Sequence, residues 1–159
     1  MKILELSRGG IALIDDEDYD KVCPYKWRIG YDGYVVTTAI NPNTHKKGTV
    51  RLHQMILPNL PEGFQVDHID HIKAHCCKSN LRAATSTEQN ANRRKETKRK
   101  TSSKYKGVWK VHNRWRAAII KDRIVHSLGY HDTEEQGAEA YNRQAKKLFG
   151  PFALLNVIV

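Results

Sequence analysis

Apolar residues along this chain of 159 residues occur only in short runs. A run such as Ile11–Ile14 holds four residues, whereas a helix that crosses a membrane needs roughly 18. Turn-forming residues, among them Gly33, Gly48, Pro58 and Pro61, separate the runs. This spacing predicts short strands joined by tight turns, with thin cores and no segment that spans a membrane.

The first third of the chain has the pattern of a small antiparallel scaffold. Polar and apolar residues alternate on both sides of Gly33 and Gly48, as they do in half-buried hairpins. Residues 15–18 are all acidic, and carboxylates are favoured in the first turn of a helix because that end carries a partial positive charge. We therefore expect these acidic side chains to cap a helix.

The last third of the chain predicts three strands and one helix. Short turns at residues 113–114 and 122–123 separate the segments GVWKVH, RWRAAIIK and RIVHSLGYH. Asp132 or Thr133 then caps a segment whose apolar residues recur every three or four positions. We expect a three-stranded antiparallel sheet packed on one helix, and an α+β fold for the chain. The residues expected between sheet and helix are Trp115, Ala118, Leu128, Ala138 and Tyr141.

Positive charge is concentrated in one segment. The net charge is +10, and residues 91–106 alone hold eight basic side chains and one acidic one. The segment has no apolar periodicity and includes Thr-Ser-Ser, which is typical of an exposed linker. Clustered Lys and Arg also match surfaces that neutralise nucleic-acid phosphates. A solvated tether and a nucleic-acid contact both fit, and the charge favours nucleic acid.

Histidine and cysteine cluster in residues 66–82, VDHIDHIKAHCCKSNLR, between a strand-like segment and a short helix-compatible one. One interpretation is a structural zinc site, although adjacent cysteines rarely chelate one tetrahedral ion. A second is a polar loop without chemistry. The side chains that would bind zinc are His68, His71, His75, Cys76 and Cys77.

A third interpretation treats Asp67 and His68 as the chemical unit. A carboxylate binds a hard cation, and an imidazole abstracts a proton from water near neutral pH. An amide oxygen from the following helix would complete the cation site. Together these groups would form the active site of a phosphodiesterase that uses one metal ion.

Several motifs, in their order along the chain, resemble one group of nucleases. VDHID, SNLR and ATSTEQNANR are similar to motifs of the HNH homing endonucleases, whose fold is a hairpin, a loop and a metal-binding helix. SSKYKGVWKVHNRWRAAI, HSLGYHDTEEQGAEAY and KKLFG resemble the DNA-binding domain named after Apetala and the ethylene-response factors (ERF). Phage and bacterial proteins join these two modules, and GGIALIDDEDYDKVCPYKWRI and LHQMIL resemble their N-terminal part.

The resemblance implies roles where residues match. It places His68 on the general base, Asp67 on a metal ligand and Asn80 on an asparagine that braces the loop. The last metal ligand, for one Mg²⁺ or Mn²⁺ ion per site, is an amide of the following helix. Asn90 is preferred. Its distance along the chain from Asn80 is one residue longer than the family pattern leads us to expect, so Gln89 and Asn92 stay open as alternatives.

The loop departs from the family between the matched motifs. Relatives usually have glycine in place of His71 and a run such as Asp-Asn-Arg in place of His75, Cys76 and Cys77. These four residues are interpreted as divergence, with weak metal binding or lost cleavage as alternatives. His53 matches a histidine common in the family, and a structural role is expected because a histidine among apolar residues is usually a packing group.

In the ERF-like part, the resemblance implies that the sheet lies in the major groove of double-stranded DNA. Side chains alternate along a strand, so only those on the outer face can touch DNA. The residues expected to bind DNA, including those of the basic segment, are Arg93, Arg94, Lys98, Arg99, Lys106, Trp109, Lys110, Arg114, Arg116 and Arg123.

The predicted organisation has three parts: a scaffold with the HNH module in residues 1–95 (core 50–95), a basic linker at 96–101 and an ERF-like domain at 102–156. The expected function is metal-dependent cleavage of DNA by a homing-type endonuclease. The alternative is a DNA-binding protein, similar to a transcription factor, whose HNH module does not cleave.

A monomer in the cytoplasm, near the nucleoid or in a phage-infected cell, is expected. The N-terminus lacks the apolar core of a secretory signal. Three cysteines, two of them adjacent, make a poor disulfide framework and fit a reducing compartment.

Overall fold

A computed structural model describes residues 1–95 and 101–159. Within them the chain forms two compact units, Met1–Thr85 and Ser86–Val159. The first unit ends before residue 95, where the sequence placed the end of the nuclease module. Lys98, Arg99 and most of the predicted linker lie outside the described residues.

The first unit is built from small antiparallel sheets. Its strands are β1 (Lys2–Glu5), β2 (Ile11–Ile14), β3 (Arg28–Ile29), β4 (Val35–Ile40), β5 (Lys47–Arg51), β6 (Phe64–His68) and β7 (Leu81–Thr85). Strands β1 and β2 form an opening hairpin, and β6 and β7 form a closing hairpin. Between them, β4 pairs with both β3 and β5 in a three-stranded sheet. Two short helices, α1 (Tyr19–Val22) and α2 (Leu52–Ile56), complete the unit.

One apolar core joins these elements. Trp27, Ile14 and Leu52 are at most 1 % exposed, and the Trp27 indole donates to the Val22 carbonyl at 2.8 Å. Alternation along β6 buries Val66 in this core and His68 on the same side. The core thereby fixes the strand that carries the Asp-His pair.

The described residues of the second unit form a three-stranded antiparallel sheet and two α-helices. The elements are α3 (Ser86–Asn92), β8 (Val108–Val111), β9 (Arg114–Lys121), β10 (Ile124–His131) and α4 (Glu134–Phe149). The order of the strands in the sheet is β8-β9-β10. The turn between β9 and β10 is the predicted one, and both of its residues, Asp122 and Arg123, have positive φ angles of 50° and 67°.

Helix α4 covers one face of this sheet. It begins with a capping box in which Thr133 Oγ1 accepts from the Gln136 amide at 3.2 Å. Gly137 lies where a Cβ would come 3.1 Å from Val108, so the glycine permits close packing of helix and strand. Ala117 and Ile119 face the helix, and alternation puts Ala118 on the opposite face, so its expected place against the helix was wrong.

The α+β fold class with small antiparallel hairpins and a sheet packed on one helix is confirmed. None of the helices in the described residues is both long enough and apolar enough to cross a membrane.

Candidate active site

His68 ends β6 and is 5 % exposed. The centre of its ring lies 5.1 Å from the centre of the His53 ring, on α2, and 6.0 Å from the centre of the Tyr34 ring. Burial lowers the pKa of His68. Burial and the adjacent His68 ring lower the pKa of His53 to about 3. Both imidazoles are therefore neutral near pH 7, and a neutral imidazole can accept a proton.

The thiol of Cys76 lies against the ring of His68. Its Sγ lies 3.7 Å from His68 Nε2 and 3.6 Å from the carbonyl oxygen of Lys73. Burial raises the pKa of Cys76 to about 12, so the thiol keeps its single hydrogen. A carbonyl can only accept, so a thiol hydrogen that points to Lys73 leaves the sulfur as the acceptor for His68 Nε2–H, and in that arrangement Nδ1 carries the lone pair.

Asn80 braces the loop that follows His68. Its Nδ2 donates to Asp70 Oδ1 at 2.9 Å and to the His75 carbonyl at 2.8 Å, and its Oδ1 accepts from the Asp70 amide at 3.1 Å. The Asn80 carbonyl also accepts from the Ile69 amide at 3.0 Å. One asparagine thus fixes both ends of the loop, which is how a bracing residue would act.

The two other histidines of the loop have structural contacts. His75 Nδ1 lies 2.6 Å from Asp70 Oδ2. His71 occupies the turn with a φ of 67°, the left-handed region in which glycine is favoured. Residues 74–76 add to β2, because the Leu13 amide donates to Ala74 and the Leu13 carbonyl accepts from Cys76, both at 2.8 Å.

The acidic segment anchors the other end of the loop. Asp15 Oδ2 accepts from the Lys78 amide at 2.7 Å, Asp18 pairs with the Lys78 ammonium at 3.2 Å, and Glu17 also contacts that ammonium. Neither Asp15 nor Asp18 makes a side-chain cap bond to its helix. The expected side-chain capping was therefore wrong for these two residues: Asp15 accepts from the backbone amide of Lys78 instead, and Asp18 pairs with the Lys78 ammonium.

Asp67 and Arg82 form an ion pair across the β6–β7 hairpin. Asp67 Oδ2 accepts from Arg82 Nη2 at 2.8 Å and from Nε at 2.9 Å. Sequence reasoning missed Arg82, although the antiparallel register of VDH against LRA places it directly opposite Asp67. A carboxylate oxygen held on a strand is a ligand type that Mg²⁺ and Mn²⁺ prefer, so Asp67 fits a hard cation.

The cysteines do not converge on a common ion position. Cys76 faces His68, whereas the side chain of Cys77 hydrogen-bonds to Asp15, and burial raises the pKa of Cys77 as well. Among residues 1–95 and 101–159, no three or more His, Cys, Asp and Glu side chains are grouped as a metal site. The zinc interpretation therefore lacks a converging ligand set.

Comparison with known proteins identifies the family. The sequence model of the HNH endonucleases matches residues 52–91, which include His53, Asp67, His68 and Asn80. An uncharacterized HNH endonuclease of Acanthamoeba polyphaga mimivirus is 35 % identical over 162 residues, covering 98 % of this chain and 80 % of the relative. The chain belongs to the HNH endonuclease family. This makes it a nuclease that acts on DNA, and HNH nucleases generally use a divalent metal ion. No solved structure matches the chain.

In this HNH endonuclease, helix α3 carries all three candidate amide ligands. Asn90 is exposed, Gln89 is half-buried and Asn92 is 6 % exposed. Arg93 and Arg94 follow the helix and are exposed. The family match ends at residue 91, within this helix. The choice among the three amides stays a prediction.

The outer face of the C-terminal sheet groups three of the residues expected to bind DNA. Trp109 pairs with Arg116 in the β8–β9 register, and Arg114 lies two residues before Arg116 on the same face. The Arg116 guanidinium lies over the Trp109 ring at 5.4 Å and over the Tyr130 ring at 5.8 Å. Arg114 pairs with Asp132 at 3.2 Å.

The other expected DNA contacts of this HNH endonuclease are placed differently. Lys110 lies on the face of the sheet that packs on α4, with its ammonium 5.7 Å from the centre of the Trp115 ring. Arg123 is exposed in the β9–β10 turn. Lys106 is half-buried, and burial lowers its pKa to about 8. The DNA-binding roles of all three residues stay predictions.

Proposed function

We propose that this HNH endonuclease hydrolyses a DNA phosphodiester bond with His68 as the general base. The observation that carries the proposal is the buried position of His68 at the end of β6, and the contact of its Nε2 with Cys76 supports Nδ1 as the atom that carries the lone pair. In this mechanism Nδ1 takes a proton from water, the water oxygen forms a bond to phosphorus, and the bond from phosphorus to the leaving oxygen breaks. Asn80 keeps His68 aimed by fixing the loop after it.

Asp67 and one amide of α3 are the proposed ligands of a single Mg²⁺ or Mn²⁺ ion. When bound, that ion supplies positive charge that stabilises the pentavalent phosphate and the leaving oxygen. Arg82 orients the Asp67 carboxylate through two hydrogen bonds. The residue types support this assignment, because carboxylate and amide oxygens suit hard cations.

The proposal extends to a homing-type enzyme that selects its site through the C-terminal sheet. Trp109, Arg114 and Arg116 share the outer face, and arginine is the residue that most often reads guanine in the major groove. The similarity of this part to the ERF domain, together with the net charge of +10, supports double-stranded DNA as the substrate.

Incubation of the protein with supercoiled plasmid and Mg²⁺ or Mn²⁺ tests the proposal. Conversion to the open-circular or linear form, which chelation of the ion abolishes, is the expected result. The second candidate function is DNA binding without cleavage, which the departures from the family at His71 and residues 75–77 favour. Tight binding with no conversion of plasmid by either ion would establish that alternative.

A further inference from the structure

Helix α3 is attached to the rest of its unit at its start and in its middle. Thr87 Oγ1 donates to Asp122 Oδ1, in the β9–β10 turn, at 2.9 Å. Ala91 is 6 % exposed and belongs to the apolar cluster that contains Ile119, Tyr141 and Phe149. A helix of seven residues is marginal alone, so these tertiary contacts supply most of its stability.

Lys106 attaches the end of α3. Its Nζ donates to the carbonyl oxygens of Asn90 at 3.1 Å, Ala91 at 2.7 Å and Arg93 at 2.8 Å. The last carbonyls of a helix have no partner within the helix and carry partial negative charge. An ammonium has three N–H donors, so the three carbonyls use its full hydrogen-bonding capacity.

The backbone of Lys106 is itself fixed by the C-terminal part of the chain. Its amide donates to Asn156 Oδ1 at 2.6 Å, and its carbonyl accepts from Asn156 Nδ2 at 3.1 Å. The Asn156 amide in turn donates to Asn142 Oδ1, on α4, at 2.7 Å. Lys106 is therefore linked to α4 through Asn156, and its ammonium contacts the end of α3.

We infer that Lys106 is a positioning residue of the nuclease, which acts by holding α3 rather than by contacting a DNA phosphate. This inference rests on the proposed function, in which an amide of α3 binds the ion. It does not depend on which amide that is, because Gln89, Asn90 and Asn92 all lie on α3.

The first test compares Lys106→Met with Lys104→Met in the full-length protein. Both changes remove one positive charge, but Lys104 is exposed and its ammonium lies over the Tyr105 ring at 5.0 Å. The Mn²⁺ concentration for half-maximal plasmid nicking should rise roughly tenfold in Lys106→Met alone, and excess Mn²⁺ should restore the rate. Both variants should bind DNA equally.

The opposite pattern would overturn the inference. A phosphate contact predicts weaker DNA binding and a flatter dependence of affinity on salt in Lys106→Met than in Lys104→Met, with an unchanged Mn²⁺ requirement. Those two sets of results separate a residue that positions α3 from one that neutralises DNA.

The second test is amide hydrogen exchange, which does not depend on activity. In the wild-type protein the amides of Asn90, Ala91 and Asn92 should be protected against exchange, with the same opening free energy as the amides of β9. Lys106→Met should lower the protection of these three amides at least tenfold. Wild-type α3 amides that exchange as freely as a frayed end would overturn the inference, even if Lys106→Met fails to fold. A wild-type protein that nicks nothing refutes the proposed function, whereas exchange still decides whether Lys106 holds α3.

Discussion

The guanidinium of Arg82 binds a single oxygen of Asp67 through two of its nitrogens, at 2.8 and 2.9 Å, across the β6–β7 hairpin. The side chains of Arg82 and Asp67 are only 16 % and 13 % exposed. An ion pair shielded to this extent is screened less by solvent than a surface pair, and removal of one partner leaves a charge that has lost its hydrogen bonds. The pair therefore contributes to stability and also orients the proposed metal ligand.

A double-mutant cycle tests this relationship. Arg82→Met should lower the free energy of unfolding by roughly 2 to 3 kcal/mol, below the range for a fully buried pair. Asp67→Asn combined with Arg82→Met should cost less than the sum of the single changes by about 1 kcal/mol or more. Urea denaturation measures all four proteins. Additive effects would show that the two side chains are not coupled.

Cys76 provides the second prediction, because we assign its sulfur as the acceptor of the His68 Nε2–H. Cys76→Ala removes the sulfur that accepts from Nε2, so the imidazole proton should shift partly to Nδ1 and nicking should slow roughly tenfold. Cys76→Ser retains a donor and an acceptor and should recover much of the rate. The ¹⁵N shifts of the His68 ring report the tautomer directly. Identical ring shifts in wild type and Cys76→Ala would contradict the assignment.

His71 gives a prediction on stability alone. A non-glycine residue in the left-handed region costs about 1 to 2 kcal/mol, which glycine does not incur. His71→Gly should therefore be more stable than His71→Ala by about 1 kcal/mol, after the greater chain entropy of glycine is allowed for. The alanine variant controls for the loss of the side chain. Thermal denaturation that ranks the alanine variant above the glycine variant would argue against a strained turn.

His53 predicts a dependence of stability on pH. Its pKa is about 3 in the folded protein and about 6.5 in an unfolded chain, so protons bind preferentially to the unfolded state between these values. The contribution of His53 to the free energy of unfolding is fully present above pH 6.5. It falls by roughly 1.4 kcal/mol per pH unit as the pH drops toward 3. Between pH 6 and 4 the wild type should lose about 2 to 3 kcal/mol more than His53→Gln. Equal losses in urea titrations would place the pKa of His53 near its ordinary value.

The local elements of the fold were predictable because their signals lie in short stretches of sequence. The Asp122–Arg123 turn joins two strand-like runs and begins with an aspartate, which tolerates a positive φ, and Thr133 with Gln136 forms the capping box that begins α4. The placement of His68 at the end of β6 likewise followed from a strand-like segment before a loop.

Contacts between distant residues were not predictable. Lys106 lies in a basic segment whose composition indicates phosphate binding, yet its ammonium contacts two carbonyls of α3 and the carbonyl of Arg93, which follows the helix. The acidic residues near the N-terminus resemble helix caps, yet they bind Lys78, which follows far along the chain. A side chain's charge is visible in the sequence, but the partner that satisfies it depends on how the elements pack.

The measurement that tests the account most directly is plasmid nicking by His68→Ala with Mg²⁺ or Mn²⁺, with His71→Ala as the control. The change removes the proposed base and leaves Asp67 and α3 intact, so DNA and ion binding should persist while turnover falls by roughly 10² to 10⁴. His71→Ala should retain most of the wild-type rate. A His68→Ala protein as active as its parent, or a wild-type protein that binds DNA tightly and nicks it with neither ion, would contradict the account.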